Sequence, residues 1–369
     1  MGNRLSALTL KGFKTIRELS DFELGPLTVL IGANGAGKSN LVSFFRMMAW
    51  ALGGRDGLQD HVARLGGASA LLHDGPARTR EVEALLTITT DAGENQYAFR
   101  LVYAAGDTLI YADERFRFSR HGVPTKAAWT QMGAGHRGPK LMEFADAGNQ
   151  TARVILRLLR MVRVYQFHDT SMTARMRSKW DAEDNRYLKE DAANIAPFLL
   201  RLRDSERKSY QRIVDTVRLV MPFFADFELE PEYGKVLLKW RERNSDVVFN
   251  ASQAADGMLR TFALVALLLQ PEQDLPDVLV LDEPELGLHP YAIELVGGLV
   301  RGISTNRQVV IATQSTRLVD CFDPEAIVVV DRTDRESRFR RLDRKALGEW
   351  LDEYSLSELW EKNVIGGRP

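Results

Sequence analysis

The segment Gly32-Ala33-Asn34-Gly35-Ala36-Gly37-Lys38-Ser39 has the residue types and spacing of a phosphate cradle, a P-loop. A glycine-rich turn offers its backbone N–H groups to an anion, and a helix beginning inside it adds the positive end of its dipole. The glycines leave no Cβ between the backbone and a β-phosphate. Lys38 can reach the β- and γ-phosphates, and the Ser39 hydroxyl can ligate Mg²⁺. A second candidate cluster closes the apolar run Val278-Leu279-Val280-Leu281-Asp282-Glu283. Such a run suits the centre of a parallel sheet covered on both faces, and ligands bind at the carboxyl ends of such strands. Asp282 is then placed to hold Mg²⁺ through its water shell, and Glu283 to orient water attacking a γ-phosphate.

The elements that position these groups follow from periodicity. Residues 27–31 form the strand before the cradle and residues 40–50 the helix after it. Residues 5–10 alternate apolar and polar; Lys11-Gly12-Phe13-Lys14 should then turn the chain into a second strand at 22–24, both lying beside the cradle strand. From 81 to 118 the period is two, with strands at 82–89, 97–103 and 108–118 joined by turns, an antiparallel meander inserted after the cradle helix. Residues 122–148 read as a long surface loop. Helices are expected at 151–161, 191–202 and 205–221, and strands at 162–167, 227–229, 236–240 and 247–249. No heptad run and no internal repeat is evident.

The 369 residues suffice for one large α/β domain or two joined lobes. A formal charge of −1 creates no global field for nucleic acid or anionic membrane, so any such contact needs a local patch. One is available: Arg153, Arg157 and Arg160 fall at i, i+4 and i+7, on one helix face, with Arg175, Arg177 and Lys179 following. The face is either solvated surface or a DNA or partner contact. The single cysteine, Cys321, allows no internal disulfide, and the six scattered histidines lack zinc-ligand spacing. With no apolar signal core or 18-residue apolar span, a soluble cytoplasmic protein is expected. Met1-Gly2 resembles an acylation start only superficially.

Taken together, the motifs resemble those of RecF/SMC-type ATPases, the ABC-like branch of P-loop proteins, related to the ATPase part of OLD-family proteins. Glu283-Pro284-Glu285-Leu286-Gly287-Leu288-His289-Pro290 resembles the D-loop region, and residues 250–260, with Asp256-Gly257, resemble the signature motif, which faces the partner subunit's ATP. Val309 to Ser315 resembles the switch strand, with Gln314 at the sensing position, and Gln166 matches the Q-loop glutamine, a further metal ligand. Lys14, in the opening Lys11-Gly12-Phe13-Lys14, is grouped with Asn34, Gly35, Gly37, Lys38, Ser39 and Asn40 at the nucleotide. The resemblance, running from Leu5 to Val330, implies an α/β fold: an ABC-type ATPase head with a mixed central sheet, the inserted antiparallel meander and a helical lobe. It divides the chain into ATPase lobe I (1–80), the β insertion (81–120), a loop and helical lobe (121–230), ATPase lobe II (231–345) and a helical tail (346–369).

Two departures bear on activity. Ala255 stands where the signature serine is expected, and Gln314 where many relatives carry histidine. Gln314 can hydrogen-bond but carries no titratable proton. Losing one transition-state contact commonly costs about 10²- to 10³-fold in rate, so slow hydrolysis is expected unless Ser252 or the Gly257 N–H replaces the donor. The residues after Ser315 are too few for an added nuclease domain of about 100 residues, and without heptads a long-armed SMC protein is excluded. The resemblance therefore implies a compact ATPase of the kind found beside separate effectors in antiphage systems. ATP and Mg²⁺ are its expected cofactors, and a homodimer or larger even-numbered oligomer its expected assembly. A non-hydrolysing ATP-bound scaffold is the rival reading; a transport subunit lacks coupling-helix logic. The aromatic tail, 350–354 and 357–360, reads as core packing in preference to a docking peptide.

Overall fold

The computed structural model describes residues 3–123, 127–348 and 350–368. Met1-Gly2, residues 124–126 of the expected loop, and Pro369 lie outside the described residues.

Strands β3 (Leu27–Ile31), β14 (Val278–Asp282) and β15 (Gln308–Ala312) are buried almost throughout, and so need like neighbours and cover on both faces. With β8 (Val162–Tyr165), β16 (Ile327–Thr333) and β17 (Glu336–Arg341) they form a sheet of order β17-β16-β3-β15-β14-β8. All pairings are parallel except β16 with β17. Alternate residues serve two cores: Val29, Ile31, Leu279, Leu281, Val309 and Ile311 pack on one side, and Leu30, Val278, Val280, Val310 and Ala312 on the other.

The second side is closed by helices and by another six-stranded sheet. Its order is β2-β1-β4-β5-β6-β7, from β1 (Arg4–Phe13), β2 (Ile16–Glu23), β4 (Glu81–Thr90), β5 (Gly93–Ala104), β6 (Thr108–Arg120) and β7 (Thr130–Gln131). Two expectations are corrected here. Strand β1 continues through Lys11-Gly12-Phe13 and turns only at Lys14-Thr15, where Lys14 takes a φ of 49°. Nor do β1 and β2 lie beside the cradle strand, which pairs with β15 and β16. From Leu8 onward β1 buries alternate residues, a one-faced pattern that matches an antiparallel sheet. The expected meander is present and hydrogen-bonds onto β1, so the five strands are continuous.

Between the two sheets lie α1 (Lys38–Ala51), α2 (Gly57–Arg64), α3 (Leu141–Asp146) and α4 (Gln150–Arg160), the last capped by the Asn149 side chain. The other core is covered by α5 (Ile195–Ser205), α6 (Arg207–Val220), α7 (Asp256–Leu269), α8 (Pro290–Ser304) and α9 (Thr316–Val319). A small sheet of β10 (Phe224–Glu228), β12 (Lys239–Glu242) and β13 (Val248–Asn250) packs Phe224, Phe227 and Trp240 around Phe262 of α7, while β9 (Trp180–Asp181) pairs with β11 (Lys235–Val236). In the tail, Trp360 is fully buried and its indole N–H donates to the Gly367 carbonyl, whereas Trp350 is half exposed. Among the described residues no helix is long and apolar enough to cross a membrane.

Candidate nucleotide site

The sheet order places four motifs side by side at the carboxyl ends of parallel strands: the cradle after β3, Gln314 after β15, Asp282-Glu283 at the end of β14 and Gln166 after β8. Gly37 caps α1 in a left-handed conformation with φ 114°, and a Cβ there would stand 1.9 Å from the Ser337 hydroxyl oxygen, so only glycine fits. Among the described residues the N–H groups of Gly35, Gly37, Lys38 and Ser39 have no acceptor, as the first turn of a helix requires. Lys38 is 3% exposed. Its Nζ donates to the carbonyls of Gly32 (2.6 Å) and Ala33 (3.0 Å). Burial lowers its pKa, opposed by Glu283, Glu285 and Asp282 in that order.

Ser39 donates to Asp282 Oδ1 at 3.3 Å, and Gln166 Nε2 donates to Asp282 Oδ2 at 3.1 Å. Burial raises the Asp282 pKa. Gln166 Oε1 accepts from Arg46 Nη2 at 3.0 Å, which leaves its second lone pair for a cation. Glu283 occupies the left-handed region at φ 46°, held by its N–H on the Ala312 carbonyl. A non-glycine residue there stores about 1 kcal/mol or more of strain, a feature that clusters at functional sites. Gln314 Nε2 donates to both Glu283 Oε1 (2.7 Å) and Asn34 Oδ1 (2.5 Å), joining switch, carboxylate and cradle.

Several contributors had no sequence signal. Glu285 Oε1 accepts from the Thr313 hydroxyl and the Gln314 N–H, fixing the switch turn, while Oε2 is buried with no hydrogen-bond partner among the described residues; burial raises the Glu285 pKa. Ser337 of β17 donates to the Ala36 carbonyl and contacts Thr15, whose hydroxyl accepts from Asn40. Two hydroxyls remote in sequence thus brace the cradle. Asn40 and Lys14 both turn toward this scaffold: Lys14 Nζ donates to Ser43 Oγ on α1 at 2.8 Å, and burial followed by Arg46 lowers its pKa.

The signature-like segment is organised differently. Asp256 and Gly257 begin α7, where their N–H groups lack acceptors among the described residues. Ser252 is not the spare donor: its hydroxyl is committed to Asn250 Oδ1 at 2.6 Å. A Cβ on Gly257 would lie 2.7 Å from the Gly287 carbonyl, so glycine lets the signature turn and D-loop meet. Arg177 donates to the carbonyls of Thr170, Ala251 and Ala254 and pairs with Asp256 at 3.1 Å. Arg260 donates to the carbonyls of Phe167, His168 and Leu286.

This corrects the wider basic surface. Arg177 has a side chain only 6% exposed and Lys179 pairs with Glu232. Arg175 pairs with Asp191 and covers Trp180. Arg177 thus braces the signature turn, while Arg175 and Lys179 are held in exposed ion pairs. Arg153, Arg157 and Arg160 do share one groove beside α4. Arg153 and Arg160 donate through Nε to the carbonyls of Ala145 and Leu52, and Arg157 also lines an adjoining groove with Arg4, His121 and Arg307.

The fold is that of SMC head domains, with a P-loop at the candidate nucleotide site. Residues 27–320 match the family model described as AAA domain, putative AbiEii toxin, Type IV TA system, and the chain belongs to that family. Among solved structures it is similar to the SmcHead bound to the C-winged helix domain of ScpA, at 16% identity over 93% of this chain and 99% of that chain, with a TM-score of 0.62. It is also similar to a Pyrococcus furiosus Smc head domain with an extended coiled coil bound to the C-terminal domain of ScpA, at 15% identity over 95% and 99%, with a TM-score of 0.55. At these identities the likeness establishes the fold. No curated protein matches the sequence.

Proposed function

We propose that this protein is an ATP-binding, slowly hydrolysing cytoplasmic switch that dimerises on ATP and controls DNA engagement or a separate effector, in antiphage defence or DNA maintenance. The observation that carries this reading is the buried Lys38 ammonium, surrounded by unpaired cradle N–H groups and facing Asp282, Glu283 and Glu285. A buried cation beside free N–H donors fits a polyphosphate. The hydroxyl–carboxylate pair of Ser39 and Asp282 fits Mg²⁺, which keeps waters and phosphate oxygens as its remaining ligands. Among the described residues no group of three or more His, Cys, Asp or Glu would hold a metal alone. When bound, Mg²⁺ supplies charge neutralisation at the β- and γ-oxygens.

In this reading Lys38 holds the phosphates, Glu283 orients the attacking water and Gln314 reports the γ-phosphate through its shared bonds to Glu283 and Asn34. The free N–H groups of Asp256 and Gly257 face a partner subunit's nucleotide, with Ala255 offering no hydroxyl. The family description, a putative toxin of a Type IV toxin–antitoxin system, supports a place in such a two-component system. DNA, if engaged, lies along Arg153, Arg157 and Arg160, with Arg4 and Arg307 nearby. Glu283→Gln tests the core of the reading. It should lower turnover at least about 10²-fold and, with saturating Mg-ATP, trap an even-numbered oligomer in light scattering. A monomer under those conditions would overturn the dimer. Equal, negligible turnover in wild type and variant would favour the non-hydrolysing scaffold.

A further inference from the structure

Among the described residues, Glu283 has a hydrogen-bond partner on only one of its oxygens. Gln314, from β15, donates to Oε1, while on the opposite side His168, two residues beyond Gln166, brings Nε2 to 3.7 Å from Oε2. That nitrogen is buried and, among the described residues, has no hydrogen-bond partner. The surrounding network decides what it carries. Gln166 Oε1 must face Arg46, because guanidinium nitrogens only donate, so Gln166 Nε2 is the donor to Asp282 and to His168 Nδ1 at 3.1 Å. His168 Nδ1 is therefore an acceptor, and a neutral imidazole accepting there carries its proton on Nε2, the atom aimed at Glu283.

We infer that His168 is a positioning residue for Glu283: its Nε2–H closes onto Oε2 when the site is engaged, so that Gln314 and His168 grip the carboxylate from opposite sides. A gap of 3.7 Å is too long for a hydrogen bond, and such contacts often tighten only in the reacting complex. The imidazole is well placed for a small closure. Arg260 Nη2 holds the His168 carbonyl at 3.0 Å, Nε holds that of Phe167 at 3.1 Å, and Nη1 bonds the Leu286 carbonyl at 3.2 Å, linking this backbone to the D-loop. Gln314 at the switch position has no titratable proton; the structure supplies a donor from the other flank. This rests on the reading of Glu283 as the residue that orients water.

The test combines spectroscopy of the nucleotide-free protein with kinetics. In ¹⁵N-histidine-labelled wild type, with the His168 signals assigned by their loss in His168→Gln, long-range ¹H–¹⁵N correlations should show the Nε2–H tautomer, and Glu283→Gln should shift that nitrogen. An Nδ1–H tautomer overturns the inference whatever the turnover. His168→Ala should lower kcat for Mg-ATP roughly 10- to 100-fold, as misplacing a reacting group does, with KM within twofold. His168→Gln, which keeps a donor near the Nε2 position, should recover most of it. Unchanged kcat in His168→Ala, or a change in KM alone, overturns the inference. A wild type with no turnover sensitive to Glu283→Gln defeats the hydrolysis reading instead, and the tautomer then decides this one.

Discussion

The two halves of the site are built by opposite means. The P-loop half is finished within the chain: the ends of β3, β15 and β14 converge, Lys38 is buried, and hydroxyls from Thr15 and Ser337 brace the turn. The signature half is exposed, with Ala255 and Asp256 open to solvent, its turn held from beneath by Arg177 on the Ala251 and Ala254 carbonyls, and α7 tied by Arg260 to the Phe167 carbonyl. Backbone N–H groups without an acceptor among the described residues lie on both. One half is preorganised to receive a ligand, while the other is a displayed surface whose geometry depends on two side chains. In the proposed function, a site divided in this way binds nucleotide before assembly and acts only after it.

Lys38→Ala should break the comparison most severely. It deletes the buried charge while leaving the signature half intact, so nucleotide affinity should fall at least about 10²-fold in a titration with an unchanged fold by circular dichroism. Unaltered affinity would remove the P-loop assignment. Arg177→Ala attacks the other half. Losing a buried guanidinium with three carbonyl acceptors should cost about 3 kcal/mol of stability. Turnover should drop roughly 10- to 100-fold, while nucleotide affinity of the monomer stays within twofold. Equal loss of affinity would show that the halves are not separable.

Replacing Arg153, Arg157 and Arg160 with Glu probes a surface outside both halves. If the groove engages DNA, affinity in fluorescence anisotropy should fall for every sequence. The salt slope should flatten as well, by up to about 0.9 for each phosphate that is no longer neutralised, with nucleotide binding normal. Unchanged DNA affinity would leave the face as solvated surface.

The last effect is confined to pH stability and leaves both halves of the site untouched. His61 of α2 is buried against Trp50 of α1, and burial, then Lys14, Arg46 and Arg64, lowers its pKa to about 4. A base depressed on folding contributes stability above its unfolded value, near 6.5, that is lost as pH falls toward 4, up to about 3 kcal/mol. His61→Phe should flatten that decline in denaturant melts; identical profiles would count against it.

Much of the P-loop half was legible because its information is local. Three closely spaced glycines, a lysine and a serine between an apolar strand and a helix admit few conformations, and an apolar run ending in Asp282-Glu283 admits few places in a sheet. The alternation of residues 82–118 likewise determined an antiparallel meander. Only the tertiary structure decided which sheet β1 joins, because periodicity specifies a face and not a neighbour. It alone set Ser337 beside Ala36 and Thr15, since a single hydroxyl has no pattern at long range. It separated Arg177 from Arg157 as well: in sequence both are arginines in basic stretches, yet one is buried under carbonyls and the other faces solvent. A charged side chain's role is set by what surrounds it, and for His168, poised against Glu283, those surroundings are assembled from three strand ends distant in the chain.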